Sequence, residues 1–255
     1  MITLSEENYL KAIYHLERQI GGTVSTNAIA EKMDTKASSV TDMSKKLADK
    51  DYVIYKKYQG VSLTDKGHKI AANVVRKHRL WEVFLVEKLN FSWDEVHDVA
   101  EQLEHIKSPK LINEIDAFLE FPTHDPHGDP IPDKDGNIFV LDKVSLSKVA
   151  INDLCTCVGV LDSSAEFLKY LDKYKIALGT QIKVLEKESF DESMTIIIHD
   201  SELNISKAVT QISNTPKNLI LPSQSHSNKC IIVSNNQKNY NCDVTYATNS
   251  ELGFD

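Results

Sequence analysis

The sequence predicts a mainly α-helical protein with β-structure in two places, a short basic hairpin and a small β domain. Apolar residues recur at helical spacing through most of residues 5–121. The stretch YVIYKKYQGVSLT, from Tyr52 to Thr64, alternates like two strands around a turn. Beyond a linker rich in proline and glycine, CTCVGVL, QIKVLEK and MTIIIH alternate in the same way. Helical and β segments are therefore expected to form separate parts of the chain.

Length and composition restrict the class of protein. A chain of 255 residues with 41% hydrophobic residues is expected to form two or three compact domains. No apolar run is long enough to span a membrane, and the start MITLSEENYLK lacks the features of a secretory signal. Four cysteines in a chain of this length do not form a disulfide framework. We therefore expect a cytoplasmic protein that does not bind membranes.

The net charge of −8 is distributed unevenly along the chain. Residues 1–80 hold 14 basic and 9 acidic side chains, a net charge of +5. Residues 81–144 hold 5 and 15, a net charge of −10, and residues 145–255 hold 10 and 13, a net charge of −3. The first segment can therefore meet phosphates, and the second suits cation binding, although an acidic segment can also be a solvated surface.

The N-terminal elements follow from capping and periodicity. Ser5 is predicted to cap a helix that reaches Ile20 at the Gly-Gly pair. A short helix over about 26–33 would be capped by Ser25, and a third helix is predicted over about 37–50. Helix, turn, helix and then a basic hairpin is the order of a winged helix-turn-helix, which reads double-stranded DNA. The expected DNA contacts are Lys36, Ser38, Ser39, Thr41, Lys45 and Lys46 of the recognition helix and Lys56 and Lys57 of the wing.

Three further helices are predicted before the linker, over about 65–89, 93–106 and 109–121. The linker FPTHDPHGDPIPDKDG covers residues 121–136. The β domain is expected to contain one helix over about 163–174, and the segment after about residue 215 is polar and weakly periodic. The predicted domains are residues 1–70 for DNA binding, 71–143 for metal binding and dimerisation, 144–213 for the β domain and 214–255 for a polar tail of unknown role.

The segment from Val96 to Ile106 contains a possible metal-binding pattern. At 100° per residue, His97, Glu101, Glu104 and His105 lie at about 0°, 40°, 340° and 80° around a helix axis, so all four project from one face. His78 and Glu82 form a second pair one helical turn apart. Such carboxylate and imidazole sets suit Mn²⁺, Fe²⁺, Zn²⁺ and Co²⁺. The alternative is that these side chains decorate a solvated face.

Motifs of other site classes are absent from the sequence. There is no HExxH zinc-protease motif, no phosphate-binding P-loop and no GxSxG nucleophile motif. A metalloenzyme that uses the same cluster lacks a clear nucleophile or oxyanion site, so we do not expect an enzyme. Cys155 and Cys157 alternate within a predicted strand, and we interpret them as core or surface thiols rather than soft metal ligands.

These residues together resemble the diphtheria toxin repressor family, including its manganese-responsive branch. The resemblance covers about residues 4–212 and rests on SEENYLKAIYHL, IAEKM, ASSVTDMSKKL, VRKHRLWEVFL and VHDVAEQLEHIKS. It implies a winged helix-turn-helix, a helical dimerisation domain with two nearby metal positions, and a C-terminal SH3-like β-barrel.

The resemblance also implies ligands by position. The primary site would use Glu101, Glu104 and His105, with Asn8 from the first helix. Lys11 stands where manganese-type members have a second acidic ligand, so the chain departs from the family pattern there. The ancillary site would use His78, Glu82 and His97, joined by Asp125 and His127 of the linker and by Glu166 of the third domain.

Iron-type members carry cysteine at the position of Glu101. A carboxylate there gives a hard oxygen and imidazole shell, so the expected metal is Mn²⁺, with Fe²⁺ as the alternative and two sites in each subunit. The expected function is a homodimeric, metal-dependent repressor of metal-uptake genes that binds a palindromic operator. The alternative is a DNA-binding regulator whose metal site is structural or does not sense metal. The departures from the family pattern at Asn8 and Lys11 favour this alternative.

Overall fold

The computed structural model describes residues 2–139, 143–160, 162, 164–199, 201–205, 212–214 and 230–232. Its contacts divide the chain into two compact units. The first unit comprises Met1–Phe84, Asp98–Thr123 and Ile131–Phe139, and the second comprises Leu85–His97, His124–Pro130 and Val140–Asp255. The predicted DNA-binding segment and most of the predicted helical segment share the first unit, and the boundaries given for the four domains remain predictions.

Helix α1 (Leu4–Ile20) begins earlier than the sequence suggested. The prediction of Ser5 as its cap is wrong, because Thr3 and Glu6 form a capping box. The Thr3 hydroxyl accepts a 3.3 Å hydrogen bond from the Glu6 amide, and the Glu6 carboxylate accepts a 2.9 Å bond from the Thr3 amide. The helix ends at Gly21, whose φ of 74° lies in the left-handed region.

The elements that follow confirm the predicted winged helix-turn-helix. Helix α2 (Thr26–Lys32) is capped by Ser25, α3 (Ala37–Asp49) follows the turn, and β1 (Val53–Lys56) pairs antiparallel with β2 (Gly60–Leu63). One core holds these elements together, and its fully buried members include Leu10, Ile13, Tyr14, Val40 and Leu47. The packing fixes α3 with its polar side chains outward, as reading DNA requires.

Helices α4 (Asp65–Leu89), α5 (Val96–Leu103) and α6 (Pro109–Phe118) follow. Helix α5 is shorter than predicted, because residues 93–95 form a turn that the Ser92 hydroxyl stabilises by donating a 2.7 Å hydrogen bond to the Glu95 carboxylate. Helix α6 begins at Pro109 after the capping residue Ser108, as predicted. Leu80, Ala100, Ile112 and Ile115 belong to a second core within the first unit.

The second unit contains the predicted small β domain. Its four-stranded antiparallel sheet has the order β4 (Leu154–Thr156), β6 (Gln181–Lys187), β7 (Met194–Ile198) and β8 (Ser201–Ile205). A second group contains β3 (Val144–Ser145), β9 (Ile212–Asn214) and β10 (Cys230–Ile232), each paired with the other two. Strand β5 (Gly159–Val160) and helix α7 (Ala165–Lys173) complete the unit. The predicted fold class is confirmed.

The structure tests what was expected of the two cysteines and of the polar tail. Cys155 and Cys157 are buried thiols of its core, one of the two environments expected for them. Strand β10 lies within the segment predicted as a polar tail, so part of that segment pairs with the β domain. Residues 215–229 and 233–255 lie outside the described residues. No helix in the described part of the chain has the length and apolar character of a membrane span.

Candidate metal centre and nucleic-acid interface

The outer face of α3 carries most of the residues predicted to contact DNA. Lys36 precedes the helix, Ser38 and Ser39 lie in its first turn, and all three side chains are exposed. Thr41 is half-buried, and its hydroxyl donates a 3.0 Å hydrogen bond to the Ala37 carbonyl. Thr41 is therefore less available for contacts with bases than the two serines.

The remaining predicted DNA contacts are also at the surface. Lys45 is exposed and lies 3.5 Å from Asp42 on the same helix. Lys56 ends β1, and Lys57 follows in the turn of the hairpin with its ammonium 4.9 Å from the ring centroid of Tyr58. Tyr58 is 93% exposed at the tip of this wing. The wing thus presents two lysines and one aromatic ring to solvent.

Lys46 differs from the other lysines because it has a buried partner on α1. Glu6 is fully buried and lies 3.0 Å from the Lys46 ammonium and 2.7 Å from that of Lys50. Burial alone would raise the pKa of Glu6, but hydrogen bonds from Lys50, the Thr3 amide and Lys46 outweigh it and lower this pKa to about 2. The carboxylate therefore ties the first turn of α1 to the last turns of α3.

The predicted primary metal ligands lie at the end of α5. The Glu104 amide donates a 2.8 Å hydrogen bond to the Ala100 carbonyl, so helical geometry extends to this residue. Nε2 of His105 lies 3.7 Å from Oε1 of Glu104, and Nδ1 of His105 lies 2.7 Å from Oε2 of Glu7. Glu7 is a buried residue of α1. Two segments far apart in sequence thus share a carboxylate and imidazole cluster.

Asn8 and Glu101, the other two predicted primary ligands, are more accessible. Both residues are exposed, and 55% of the Glu101 side chain remains accessible. Asn8 follows the buried Glu7 directly in α1. The structure thus brings Glu104 and His105 together, places Glu101 one helical turn before His105, and puts Glu7 rather than Asn8 in contact with the imidazole.

His78 on α4 joins this cluster to Glu82. Its Nδ1 lies 2.6 Å from Oε2 of Glu104, and its Nε2 lies 2.9 Å from Oε1 of Glu82. The Lys11 ammonium of α1 is 2.6 Å from the same Glu104 oxygen and 3.6 Å from Oε1 of Glu101. All of these residues belong to the first unit.

Electrostatics favour the charged forms of His78 and Glu104 in this cluster. Burial would lower the pKa of His78, but hydrogen bonds with Glu104 and Glu82 outweigh it and raise that pKa. Burial would raise the pKa of Glu104, but the hydrogen bond with His78 and the charge of Lys11 lower it. Lys77 is also buried, which lowers its pKa, while Glu7 and Glu104 attract its charge.

Two of the predicted primary ligands, Glu104 and His105, have the spacing that one divalent cation would require. Ligand atoms bound about 2.1 Å from one ion lie about 3–4 Å apart, and the 3.7 Å between Glu104 Oε1 and His105 Nε2 falls in that range. Glu104 is 1% exposed, and a buried carboxylate requires positive partners. Glu7 could orient the His105 imidazole through Nδ1, as carboxylates do for ligating histidines.

The second unit holds the other predicted ancillary residues. Asp125 and His127 are buried, and one Asp125 oxygen accepts 2.9 Å hydrogen bonds from the amides of His127 and Asp129. His127 Nε2 donates to the Trp93 carbonyl at 2.8 Å, and the two rings are stacked. His97 and the α7 residue Glu166 are exposed. Ligation of one ion by these residues with His78 and Glu82 remains a prediction.

Sequence reasoning missed two residues of the first cluster, Glu7 and Lys77. Glu7 stands four residues before Lys11, so both lie on one face of α1. That spacing could have indicated Glu7, but an acidic residue in the first turn of a helix is usually explained by the helix dipole alone. Nothing in the sequence indicates that Lys77 is buried, because a lysine in a long helix is usually solvated.

Comparison with known families gives three matches along the chain. Residues 1–61 match the iron-dependent repressor N-terminal DNA-binding domain, and residues 64–133 match the iron-dependent repressor metal-binding and dimerisation domain. Residues 144–211 match the FeoA domain. The matches follow the order of the predicted segments.

Individual relatives agree with these matches. The regulator MntR of Oceanobacillus iheyensis is 38% identical over 121 residues, which are 48% of this chain and 81% of that protein. The iron-dependent repressor IdeR of Mycobacterium tuberculosis is 35% identical over 126 residues, 49% of this chain and about half (54%) of IdeR. A solved manganese-dependent transcriptional repressor in complex with manganese is 35% identical, with a TM-score of 0.69, and the match covers 79% of this chain and 94% of that one. This chain belongs to the iron-dependent repressor family.

Proposed function

We propose that the protein is a metal-dependent transcriptional repressor that binds operator DNA when a divalent cation occupies the cluster around Glu104 and His105. The observation that carries the proposal is the position of α1. Its Glu6 contacts Lys46 and Lys50 of the recognition helix, while the adjacent Glu7 contacts His105. One helix turn therefore touches both the DNA reader and the candidate metal cluster.

The reader is α3 with its wing. Ser38 and Ser39 are exposed and would meet base edges, and the exposed lysines Lys36, Lys45, Lys56 and Lys57 would meet phosphates. Short hydroxyl side chains read few base atoms, so DNA shape supplies much of the specificity. Lys46 would reach phosphate only when its contact with Glu6 loosens or is shared. The position of α1 can in this way influence the charge that α3 presents.

The cation would be held by Glu101, Glu104 and His105, with α1 contributing through Asn8 or Glu7. When bound, a divalent ion supplies positive charge that draws these carboxylates and the imidazole together. Glu7 keeps His105 oriented, and Glu104 connects the cluster to His78. The oxygen and imidazole set favours Mn²⁺, with Fe²⁺ as the alternative ion.

We propose that a second, ancillary ion uses His78, Glu82, His97, Asp125 and His127, with Glu166 as an additional ligand. Hydrogen bonds already order four of these side chains, His78 and Glu82 in the first unit and Asp125 and His127 in the second. His78 contacts Glu104 through Nδ1 and Glu82 through Nε2, so an ion would take the place of the proton between Nε2 and Glu82. Asp125 organises the backbone of its own loop. This arrangement predicts loss of one bound ion when His78 or His127 is replaced.

The active species is proposed to be a homodimer in the cytoplasm on a palindromic operator. Helix-turn-helix dimers place two recognition helices about 34 Å apart, one turn of DNA. Several apolar side chains that the sequence suggested for dimerisation, including Leu85, Val96 and Ile115, are buried within the described chain itself. Leu111 and Phe118 of α6 are 39% and 61% exposed, and they are the better candidates for contact with a second subunit.

A second function is favoured by a specific observation. The Lys11 ammonium already neutralises Glu104, so the cluster has a positive partner without any metal. A regulator with a structural or non-sensing site would bind DNA equally well after chelation.

DNA binding measured by fluorescence anisotropy distinguishes the two functions. The probe is a duplex selected from a randomised library with Mn²⁺ present, and the titrations use chelator, Mn²⁺, anaerobic Fe²⁺ and Zn²⁺. Metal sensing predicts tightening of about tenfold or more with metal, within the usual range of allosteric coupling. Glu104→Gln should abolish this response, whereas the exposed matched control Glu114→Gln should keep it. Equal affinity in chelator and metal would contradict the proposal and support a structural site.

A further inference from the structure

Lys11 belongs to the candidate centre, but its chemistry is opposite to that of a ligand. It lies on α1 one turn after Glu7, and its side chain is only 13% exposed. Its ammonium is 2.6 Å from Oε2 of Glu104, 3.6 Å from Oε1 of Glu101 and 3.3 Å from Nδ1 of His78. A positive group thus stands among three side chains that could each bind a metal.

These contacts are those of a cation bound among carboxylates, not those of a lysine side chain surrounded by water. Two of the three surrounding groups are carboxylates, which lose less by burial when a positive charge lies beside them. The ammonium and His78 both contact Glu104 Oε2, whereas the other oxygen, Oε1, lies 3.7 Å from Nε2 of His105. The two oxygens of Glu104 therefore serve two different positions.

We propose that Lys11 is a tethered cation that fills one of two adjacent cation positions in this cluster. The ammonium holds the position between Glu101 Oε1, Glu104 Oε2 and His78. A divalent ion takes only the position between Glu104 Oε1 and His105, where the other Glu101 oxygen would join it. This inference rests on the proposed function and deepens it. It predicts that the cluster binds a single ion and that the charge of Lys11 limits the affinity for that ion.

A tethered ammonium has two physical consequences. It repels a second dication placed within a few ångströms, because neighbouring like charges disfavour one another strongly at a buried site. It also keeps Glu104 paired before metal arrives, so α1 contacts this segment through Lys11 even in the metal-free protein. Lys11 is on this basis a residue that sets how many ions bind.

The test counts Mn²⁺ ions per subunit of the full chain by equilibrium dialysis with metal analysis. Electron paramagnetic resonance of the bound Mn²⁺ reports whether two ions are close together. Lys11→Glu replaces the ammonium with a carboxylate, and it should bind one more Mn²⁺ per subunit than the wild type, with a spin-coupled signal. Lys32→Glu makes the same charge change at an exposed position of α2 and should leave the count unchanged.

Lys11→Met keeps the test decisive if Lys11→Glu does not fold. This variant removes the charge without adding a ligand, so the number of Mn²⁺ ions per subunit should stay unchanged. Mn²⁺ binding should tighten by about tenfold or more, because one nearby charge commonly shifts a pKa by a unit or more. An unchanged count in folded Lys11→Glu, or unchanged affinity in Lys11→Met, would overturn the inference alone. A wild-type protein that binds no Mn²⁺ would instead overturn the proposed function, and the inference with it.

Discussion

Replacing the buried Glu6 with glutamine should destabilise the DNA-binding part of the chain measurably. Glu6 is fully buried at the junction of α1 and α3, and its carboxylate accepts hydrogen bonds from Lys50 at 2.7 Å, the Thr3 amide at 2.9 Å and Lys46 at 3.0 Å. Glutamine preserves the shape of the side chain but removes its charge. The variant therefore isolates the electrostatic part of this contact.

The expected loss in the free energy of unfolding follows from the pKa of Glu6. Although burial opposes the shift, the lysines and the Thr3 amide lower this pKa from 4.5 to about 2, and at about 1.36 kcal/mol per pKa unit the full shift corresponds to about 3 kcal/mol. Lys46 and Lys50 keep 52% and 34% of their side chains accessible, so solvent screens both charges. We therefore expect a loss of about 1–2 kcal/mol in the free energy of unfolding at neutral pH.

The sign of the pH dependence is fixed by the direction of the shift. A carboxyl group whose pKa is lowered by folding stabilises the folded state above its ordinary pKa of 4.5, and this contribution disappears as the pH falls toward about 2. The difference between wild type and Glu6→Gln should thus be constant between pH 7 and pH 5 and shrink below about pH 4.5.

Urea denaturation of the chelated protein, followed by circular dichroism at several pH values, measures this difference. Glu31→Gln is the matched control, because Glu31 is an exposed residue of α2 and its replacement should change the stability by less than about 0.5 kcal/mol. A Glu6→Gln variant as stable as the wild type at pH 7, or a difference that grows in acid, would refute the electrostatic reasoning.

Three further variants test other parts of the structure. Glu7→Gln should weaken Mn²⁺ binding by about 10–100-fold in a calorimetric titration by loosening His105; unchanged affinity would show that this carboxylate does not support the centre. Lys46→Ala should weaken binding to all DNA sequences alike and lower the salt slope by about one unit, whereas a changed base preference would contradict a phosphate contact. Gly67→Ala should destabilise the fold by more than about 2 kcal/mol in urea, because its Cβ would stand 1.9 Å from a backbone oxygen. Gly22→Ala meets nothing within 4 Å and should be nearly neutral, so equal stability of the two variants would count against the packing at Gly67.

Local signals predicted most of the fold. The bounds of α4 follow directly from its apolar periodicity, and Ser25 and Ser108 cap α2 and α6 as expected. Predictions failed where two local options competed. Ser5 and Thr3 can both cap α1, and only the hydrogen bonds of the capping box with Glu6 favour Thr3.

The candidate site was less predictable, because it depends on contacts between distant segments. Helical spacing grouped Glu104 with His105, since both lie at the end of one helix. Glu7 and His105 are 98 residues apart, and Lys11 and Glu104 are 93 residues apart. Spacing within α1 puts Glu7 and Lys11 on one face but does not specify that this face meets Glu104 and His105. Only packing reveals that Glu7 turns inward while Asn8 stays exposed.

The charge of Lys11 illustrates the same limit. Its sequence position suggested only that a second acidic ligand was missing from α1. The structure shows what stands there instead, an ammonium 2.6 Å from Glu104 that offsets part of the negative charge of the cluster. A residue that replaces a ligand can therefore also bring a charge of its own. Whether that charge strengthens or weakens metal binding depends on which side chains surround it.

The most direct test of metal sensing is the affinity for Mn²⁺ measured with and without operator DNA. Coupling between two sites is reciprocal, so if Mn²⁺ tightens DNA binding by a given factor, DNA must tighten Mn²⁺ binding by the same factor. Titrations followed by electron paramagnetic resonance, with the selected duplex and with a scrambled duplex, should show about 5–150-fold tighter Mn²⁺ binding for the selected duplex alone. Identical Mn²⁺ affinity in the two titrations would contradict a sensing role for the cluster around Glu104 and His105.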